Sequence, residues 1–298
     1  MSILKSGVSK KTMKCTCVII WYNPTEQESN NILSYSTNFD KIIIIDNSSC
    51  NNTQLSKTIH NAVYIPLMNN YGIAYALNRG FEKAISEGFD WVMTMDQDSF
   101  WETDEIREYL KWVQIFTEQN RNVVSLSPRA DLKNKSFAGI FRRLCFSRFK
   151  QNKTGIEFVN RVICSANMVK TDCWNALGGF NEKLFIDEVD YEFCYRLRQK
   201  EYQIAMNNDI SYHHSIGNDK LTLLPHKNTH SDFRLYYIFR NLMYIIEKYP
   251  VYALEYKYKK HLTSLIKSTC VFNLHFKKYR QIFEKAKRDC HQMITDGY

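Results

Sequence analysis

The chain has 298 residues, 44% of them apolar, and a formal net charge of +9, enough apolar content to bury a core and to exclude disorder as the default. Nine cysteines show no CxxC pair, so reduced and mostly buried thiols in a cytoplasmic compartment are expected. Met1 to Lys14 is polar and basic without a signal-like apolar stretch, and no run approaches about 18 uninterrupted apolar residues, so neither secretion by that route nor a membrane span is expected.

In chain order, Cys15 to Tyr22 is an apolar, β-branched run stopped by Asn23-Pro24, since proline removes a ladder donor and restricts its neighbour. Thr25 to Phe39 has room for one crossover helix, and Lys41 to Ile45 follows with consecutive isoleucines that suit a strand buried on both faces, ending in Asp46-Asn47-Ser48-Ser49. Asn61 to Pro66 reads as a third strand, and Ile73 to Glu87 as a helix entered through Asn69-Asn70-Tyr71-Gly72. Trp91 to Met95 is a fourth strand running into Asp96-Gln97-Asp98. Val123 to Ser127 and Arg161 to Val169 read as further strands, Thr171 to Leu177 as a short helix closed by Gly178-Gly179, and Asp187 to Lys200 as another helix. From Phe233 the pattern is helical and aromatic, and residues 251–298 carry 10 Lys/Arg against 4 Asp/Glu. The alternation predicts an α/β fold with a Rossmann-like, mostly parallel sheet, whose ligand crevice lies beyond the strands' carboxyl ends, where the polar clusters converge.

Three constellations can carry chemistry. Asp96 and Asp98, one residue apart in a turn after a buried strand, supply hard oxygen ligands for Mg²⁺ or Mn²⁺ shared with a diphosphate; a solvated turn is the bland alternative. Asp187, Glu188, Asp190 and Glu192 crowd the start of a helix. Capping of the helix dipole explains acids there, but the apolar setting of Phe185, Ile186, Phe193 and Tyr195 suits a carboxylate with a raised pKa acting as general base, and Asp190 is the candidate. In Tyr212-His213-His214-Ser215-Ile216-Gly217 an imidazole can complete the coordination sphere begun by Asp98, or simply pack.

Taken together, Ile20-Trp21-Tyr22-Asn23-Pro24, Ile45-Asp46-Asn47-Ser48, Asn69-Asn70-Tyr71-Gly72-Ile73-Ala74 with Asn78 and Gly80, Asp96-Gln97-Asp98-Ser99 and His214-Ser215-Ile216-Gly217 resemble family 2 glycosyltransferases of the GT-A fold, in the expected order over about residues 14–245. Phe185-Ile186-Asp187-Glu188-Val189-Asp190-Tyr191-Glu192-Phe193-Cys194 and Tyr236-Tyr237-Ile238-Phe239-Arg240-Asn241 make the chain most similar to the bacterial rhamnosyltransferase branch.

The resemblance implies a site. Tyr22, Asn23 and Asp46 hold the nucleoside, with Asp46 near the base; Asn70, Gly72 and Asn78 shape the adjoining pocket; Asp96 and Gln97 lie on the nucleotide-sugar side; Asp98 and His214 ligate the metal. Asp190 matches the second residue of the family's Glu-Asp base motif. The usual Glu before it is Val189 here, which keeps Asp187 and Glu188 as rivals. The resemblance further implies residues 1–13 as a flexible tail, 14–232 as the catalytic domain, with a nucleotide-binding half about 14–127 and an acceptor-side half about 128–232, and 233–298 as a helical, basic, aromatic extension. The activity it implies is inverting, metal-assisted transfer of one sugar, L-rhamnose from dTDP-L-rhamnose or a hexose from a UDP-sugar, onto a saccharide or lipid-linked acceptor in surface polysaccharide synthesis.

Other classes fit less of the chain. A nucleotidyltransferase needs a Gly-rich basic loop where Trp21-Tyr22-Asn23-Pro24 stands, a dehydrogenase needs GxGxxG after a strand, and a processive synthase is expected to carry transmembrane helices and a Gln-x-x-Arg-Trp motif. Tyr256, Tyr258, Phe272, Phe276 and Tyr279 interleaved with Lys and Arg suit nucleic-acid binding, which leaves the acidic turns unexplained and is not expected. Contact of the same tail with an anionic membrane, from the cytoplasmic side, is the other expectation; an ordinary helix pair covering the sheet is the alternative.

Overall fold

A computed structural model describes residues 13–101, 104–132, 154–214, 231–271 and 275–296. Strands β1 (Cys15–Trp21), β2 (Ile42–Asp46), β3 (Ala62–Pro66) and β4 (Trp91–Asp96) pair in parallel in the order β3-β2-β1-β4. Between them lie α1 (Glu26–Leu33), the one-turn α2 (Thr53–Ser56) and α3 (Ile73–Ser86). Helix α1 starts at a capping box in which Thr25 accepts from Gln27 N–H and the Glu28 carboxylate accepts from Thr25 N–H at 2.7 Å.

The isoleucine run shows why this sheet is buried on both sides. Ile43 and Ile45 join Val18 in one core, while Ile42 and Ile44 join Cys17, Ile19 and Trp21 in the other, and all are unexposed. Helix α3 lies so close to β1 that a Cβ on Gly80 would meet Val18 Cγ1 at 2.3 Å. Any larger residue there forces the helix off the sheet.

The second half adds β5 (Ser99–Phe100), α4 (Glu105–Gln119), β6 (Val123–Leu132), β7 (Ile156–Val159), β8 (Asn167–Lys170), α5 (Thr171–Ala176), α6 (Val189–Gln199) and β9 (Gln203–His214). The sheet continues β4-β8-β6-β9-β5, with β7 also on β9. Six strands (β1 to β4, β6 and β9) point one way, and β5, β7 and β8 run against them. The mostly parallel α/β architecture expected from the sequence is therefore present.

Two expected boundaries are corrected. The strand expected over Arg161 to Val169 forms only from Asn167, because Ala166 takes a left-handed conformation (φ 56°) and side chains satisfy the preceding backbone: Asp190 accepts from Cys164 N–H, and the hydroxyls of Tyr212 and Tyr109 donate to Ser165 O and Ala166 O. The helix expected from Asp187 begins at Val189, since Asp187 and Glu188 have φ of 63° and 64°.

The C-terminal helices are α7 (Asp232–Lys248), α8 (Pro250–Glu255), α9 (Tyr258–Ile266), continued by a π-helical turn Lys267–Val271, and α10 (Phe276–Thr295). Leu242, Ile245, Tyr249 and Tyr258 share the core of Val18 and Ile43, whereas α10 packs back on α7 through Phe283 against Phe239, ring centroids 5.2 Å apart. These helices are thus built into the sheet's own core. Among the described residues no helix is long and apolar enough to cross a membrane.

Candidate active site

The carboxyl ends of β1, β2 and β4 are tied together by backbone-to-side-chain bonds. At the switch point between β1 and β4, Gln97 clasps the Tyr22 backbone, accepting from its N–H at 2.7 Å and donating to its carbonyl at 3.3 Å. Asn23, itself at φ 48°, donates its N–H to Ser48 Oγ at 2.7 Å. The Tyr22 ring is left exposed at the rim.

Asp46 has no exposed surface and accepts four internal bonds: Ser48 N–H and Oγ–H on one oxygen, Asn52 Nδ2 (2.8 Å) and the Tyr64 hydroxyl (2.6 Å) on the other. It therefore organises the turn that follows β2. Asn70 accepts from Asn47 Nδ2 at 2.9 Å and from Gly72 N–H at 3.0 Å. Gly72 sits at φ 90°, where a Cβ would meet Phe185 Cδ2 at 2.6 Å and Phe185 O at 2.7 Å, so only glycine lets the two halves close on each other. Asn78 is buried and bridges the same halves, donating to Phe180 O (2.9 Å) and Glu182 Oε1 (2.8 Å) and accepting from Phe180 N–H (2.8 Å).

Asp96, Asp98 and His214 come together with ligand atoms within 4.8 Å of one another. The pairing of β5 with the end of β9 produces this contact, setting Ser99 opposite His214. The Ser99 hydroxyl meets His214 Nδ1 at 2.7 Å and accepts from the buried Ser165 hydroxyl at 2.8 Å, which fixes the imidazole plane. Burial, then the charges of Asp98 and Asp190, push Asp96 up to about 7. Burial also raises Asp98, against the pull of His214 at 3.5 Å, and Asp98 Oδ1 is buried with no hydrogen-bond partner among the described residues. A buried carboxylate oxygen without a donor is costly unless a cation completes it. The Ser215-Ile216-Gly217 part of the sequence string lies outside the described residues.

The four acids around α6 divide by partner. Glu192 is fully buried in a bidentate pair with Arg196 (2.9 to 3.0 Å) and accepts from the Tyr249 hydroxyl at 2.6 Å, while Arg196 also donates to Leu177 O and Gly179 O. Asp187 is paired with Arg234 at 2.8 and 3.2 Å, and Glu188 accepts from the Tyr258 hydroxyl. Asp190 alone is held by backbone, from Tyr191 N–H (2.9 Å) and Cys164 N–H (3.2 Å). Burial pushes it up to about 6, against those two donors. Because Cys164 precedes Ser165, whose hydroxyl accepts from Asp96 N–H at 3.3 Å, Asp190 lies beside the Asp96 cluster.

The loop carrying these acids is strained: Phe185, Asp187 and Glu188 all have positive φ. A clamp from α7 holds it. Asn241, fully buried, donates Nδ2 to Leu184 O (2.9 Å), Ile186 O (2.7 Å) and Asp187 O (2.9 Å), and Arg240 donates to Lys183 O and Leu184 O. Ser99, Arg240 and Asn241 stand in the sequence strings without a role, and nothing local marks Ser165, Arg161 or Arg234, because their parts depend on contacts distant in sequence. Of the tail aromatics, Tyr258 is buried, Tyr256 and Tyr279 are partly packed and Phe276 is 38% exposed, while Phe272 lies outside the described residues.

Residues 16–278 match the family model described as Glycosyltransferase like family 2. The chain is 28% identical over 264 residues to the dTDP-rhamnosyl transferase RfbF of Shigella flexneri, spanning 85% of this chain and 86% of that one. It is 21% identical over 239 residues, 76% of each chain, to the low-salt glycan biosynthesis hexosyltransferase Agl10 of Haloferax volcanii. Among solved structures it is similar to GalNAc-T7 with UDP, GalNAc and Mn²⁺ (TM-score 0.60, 14% identity), covering 96% of this chain and 58% of that one. It is also similar to S. aureus TarS 1-349 (TM-score 0.50, 16% identity), covering 78% of this chain and 66% of that one.

Proposed function

The chain belongs to the family 2-like glycosyltransferases and has the GT-A fold, and from that premise we propose that it moves a single L-rhamnose from dTDP-L-rhamnose, with inversion, onto a saccharide or lipid-linked saccharide in surface polysaccharide synthesis. A family of this kind uses a nucleotide-sugar donor and a glycan acceptor. The observation that carries the reading is the meeting of Asp96, Asp98 and His214 with Asp190 at the carboxyl ends of the parallel strands. Resemblance to the dTDP-rhamnosyl transferase over most of both chains favours rhamnose, and the hexosyltransferase relative keeps a UDP-hexose as the competing donor.

The Asp96, Asp98 and His214 donor set suits Mn²⁺ or Mg²⁺, and a buried Asp98 Oδ1 with no hydrogen-bond partner among the described residues fits a cation there. Such an ion, when bound, offsets the negative charge gathering on the departing nucleoside diphosphate. Asp98 and His214 would hold it, with Ser99 steadying the imidazole and Asp96 lying by the ribose and diphosphate.

Tyr22, Asn23, Asn70, Gly72 and Gln97 frame the nucleoside end, and Asp46 and Asn78 hold that frame in shape. Asp190 takes the acceptor hydroxyl proton as the oxygen bonds to the anomeric carbon. The bond from that carbon to the diphosphate breaks with its electron pair going to the diphosphate. Opposite-face displacement of this kind inverts the centre without a covalent sugar–enzyme intermediate. Residues of about 14–127 serve the donor and about 128–232 the acceptor, at the cytoplasmic side of the pathway.

Nucleoside diphosphate release from a panel containing dTDP-L-rhamnose and UDP-hexoses, with and without Mn²⁺, tests this. Turnover of dTDP-L-rhamnose above the UDP-hexoses is expected. Turnover of no nucleotide sugar overturns the function, and preference for a UDP-hexose overturns the donor.

A further inference from the structure

Val251 and Leu254 on α8 are 73% and 81% exposed, more than any other large apolar side chain among the described residues. Spaced i, i+3, they share one side of the helix. Leu254 lines a groove of about 400 Å³ together with Ile246 and Pro250, and the same groove is lined by Lys257, Lys259 and Lys260. Glu255, at the end of the same helix, is already paired with Arg198 (3.0 Å) and Asn160 (2.6 Å).

We propose that this face docks the protein on an anionic phospholipid bilayer, with Val251 and Leu254 entering the headgroup–acyl boundary and Lys257, Lys259 and Lys260 meeting lipid phosphates. Charge complementarity selects the occupant. The tail from residue 251 holds 10 Lys/Arg against 4 Asp/Glu, and three of those lysines line the groove of Leu254, a setting of bases beside an apolar tip that matches an interfacial helix. Protein hot spots are instead built on buried aromatic and arginine anchors.

The docking helices are fastened to the helix that bears Asp190. Tyr249, just before α8, donates to Glu192 at 2.6 Å, Glu255 at its end pairs with Arg198 at 3.0 Å, and Tyr258, directly after Lys257, donates to Glu188. A bilayer held on this face would therefore lie on the acceptor side of the site. The purpose, delivery of a lipid-linked saccharide, rests on the glycosyltransferase reading given above.

The test is co-sedimentation of the full chain with vesicles of phosphatidylcholine alone or mixed with phosphatidylglycerol. Binding to the mixed vesicles only, weakened by salt, is expected. A Val251→Ser/Leu254→Ser variant is expected to bind at least tenfold more weakly, and Lys257→Gln/Lys259→Gln/Lys260→Gln roughly a hundredfold more weakly, at about fivefold per lysine. Nucleoside diphosphate release without vesicles is expected to be unchanged in both variants, so a docking failure stays distinct from a failure of the enzymatic reading. Absence of wild-type binding to the mixed vesicles, or equal binding by the variants, overturns the proposal. So does a wild-type dimer without vesicle binding that Leu254→Ser dissolves, which would assign the face to a second copy of the chain.

Discussion

Tyr258 donates its hydroxyl to the carboxylate of Glu188, 70 residues earlier in the chain and two residues ahead of Asp190. The same hydroxyl meets Tyr195 at 2.8 Å and Arg161 at 3.2 Å, and the Arg161 guanidinium lies over the rings of Tyr191 and Tyr256 at 4.1 and 3.6 Å. This box occupies Glu188 and leaves Asp190 as the acid without a side-chain partner among the described residues. Tyr258→Phe removes the donor from a carboxylate that burial already pushes up to about 7. A loss of about 1–3 kcal/mol in chemical denaturation is expected, and unchanged stability would show that the box contributes nothing.

If Asp190 is the base, Asp190→Asn lowers kcat by about 10² to 10⁴ while nucleoside diphosphate affinity stays near that of the wild type. Glu188→Gln and Asp187→Asn keep far more activity. Steady-state rates beside calorimetric binding separate these effects, and normal turnover by Asp190→Asn removes the assignment.

The pH dependence follows from burial. Asp190 must be ionised to accept a proton and is held up to about 6, so kcat/KM is expected to rise through about pH 6 and level off above it. Stability runs the other way. Asp96 and Glu188 at about 7 and Asp190 at about 6 keep protons in the folded state that the unfolded chain releases near its ordinary carboxylate values of 3.8 to 4.5. Between about pH 4 and 7 the folded state binds more protons, so stability falls as pH rises through that window. Melting curves of the metal-free protein check this, with a higher melting temperature at pH 5 than at pH 8 expected and Asp96→Asn flattening the difference.

Asn241→Ala takes the donor from Ile186 O and Asp187 O in the strained loop and leaves Leu184 O with Arg240 alone. Destabilisation of about 3 kcal/mol is expected, with kcat falling more than donor affinity, because the loop leads directly into the helix of Asp190, whereas Gly72 is also held from its own side by Asn70. Thermal denaturation and kinetics on the same preparation check both, and an unchanged kcat would mean that the loop holds its shape without the clamp.

Much of the fold could be read locally. The isoleucine run, Asn23-Pro24 and the turn before Ile73 mark strand and helix ends through short-range chemistry, and the parallel half followed. Helix α4 lies outside the sequence expectations, although Ile106, Tyr109 and Val113 recur at helical spacing and are buried. Strand β9 was hidden by the polar Asn207-Asn208-Asp209 at its centre, where its pairing with β6 shifts register. The pairing of β5 with β9 decides that His214 reaches Asp98, and nothing local to Ser99 announces it. The separation of Asp187, Glu188 and Asp190 was likewise out of reach, since Arg234 and Tyr258 sit 47 and 70 residues beyond their partners.

The proposed cation and diphosphate site is tested most directly by titrating nucleoside diphosphate into the wild type and Asp98→Asn, with and without Mn²⁺. Asp98→Asn replaces a buried carboxylate whose Oδ1 has no hydrogen-bond donor among the described residues, so its fold is expected to be no less stable than the wild type's. Binding tightened at least tenfold by Mn²⁺ in the wild type and unaffected by it in Asp98→Asn is the expected result. Nucleotide binding indifferent to both Mn²⁺ and Asp98, or no binding at all, would contradict the assignment of this crevice.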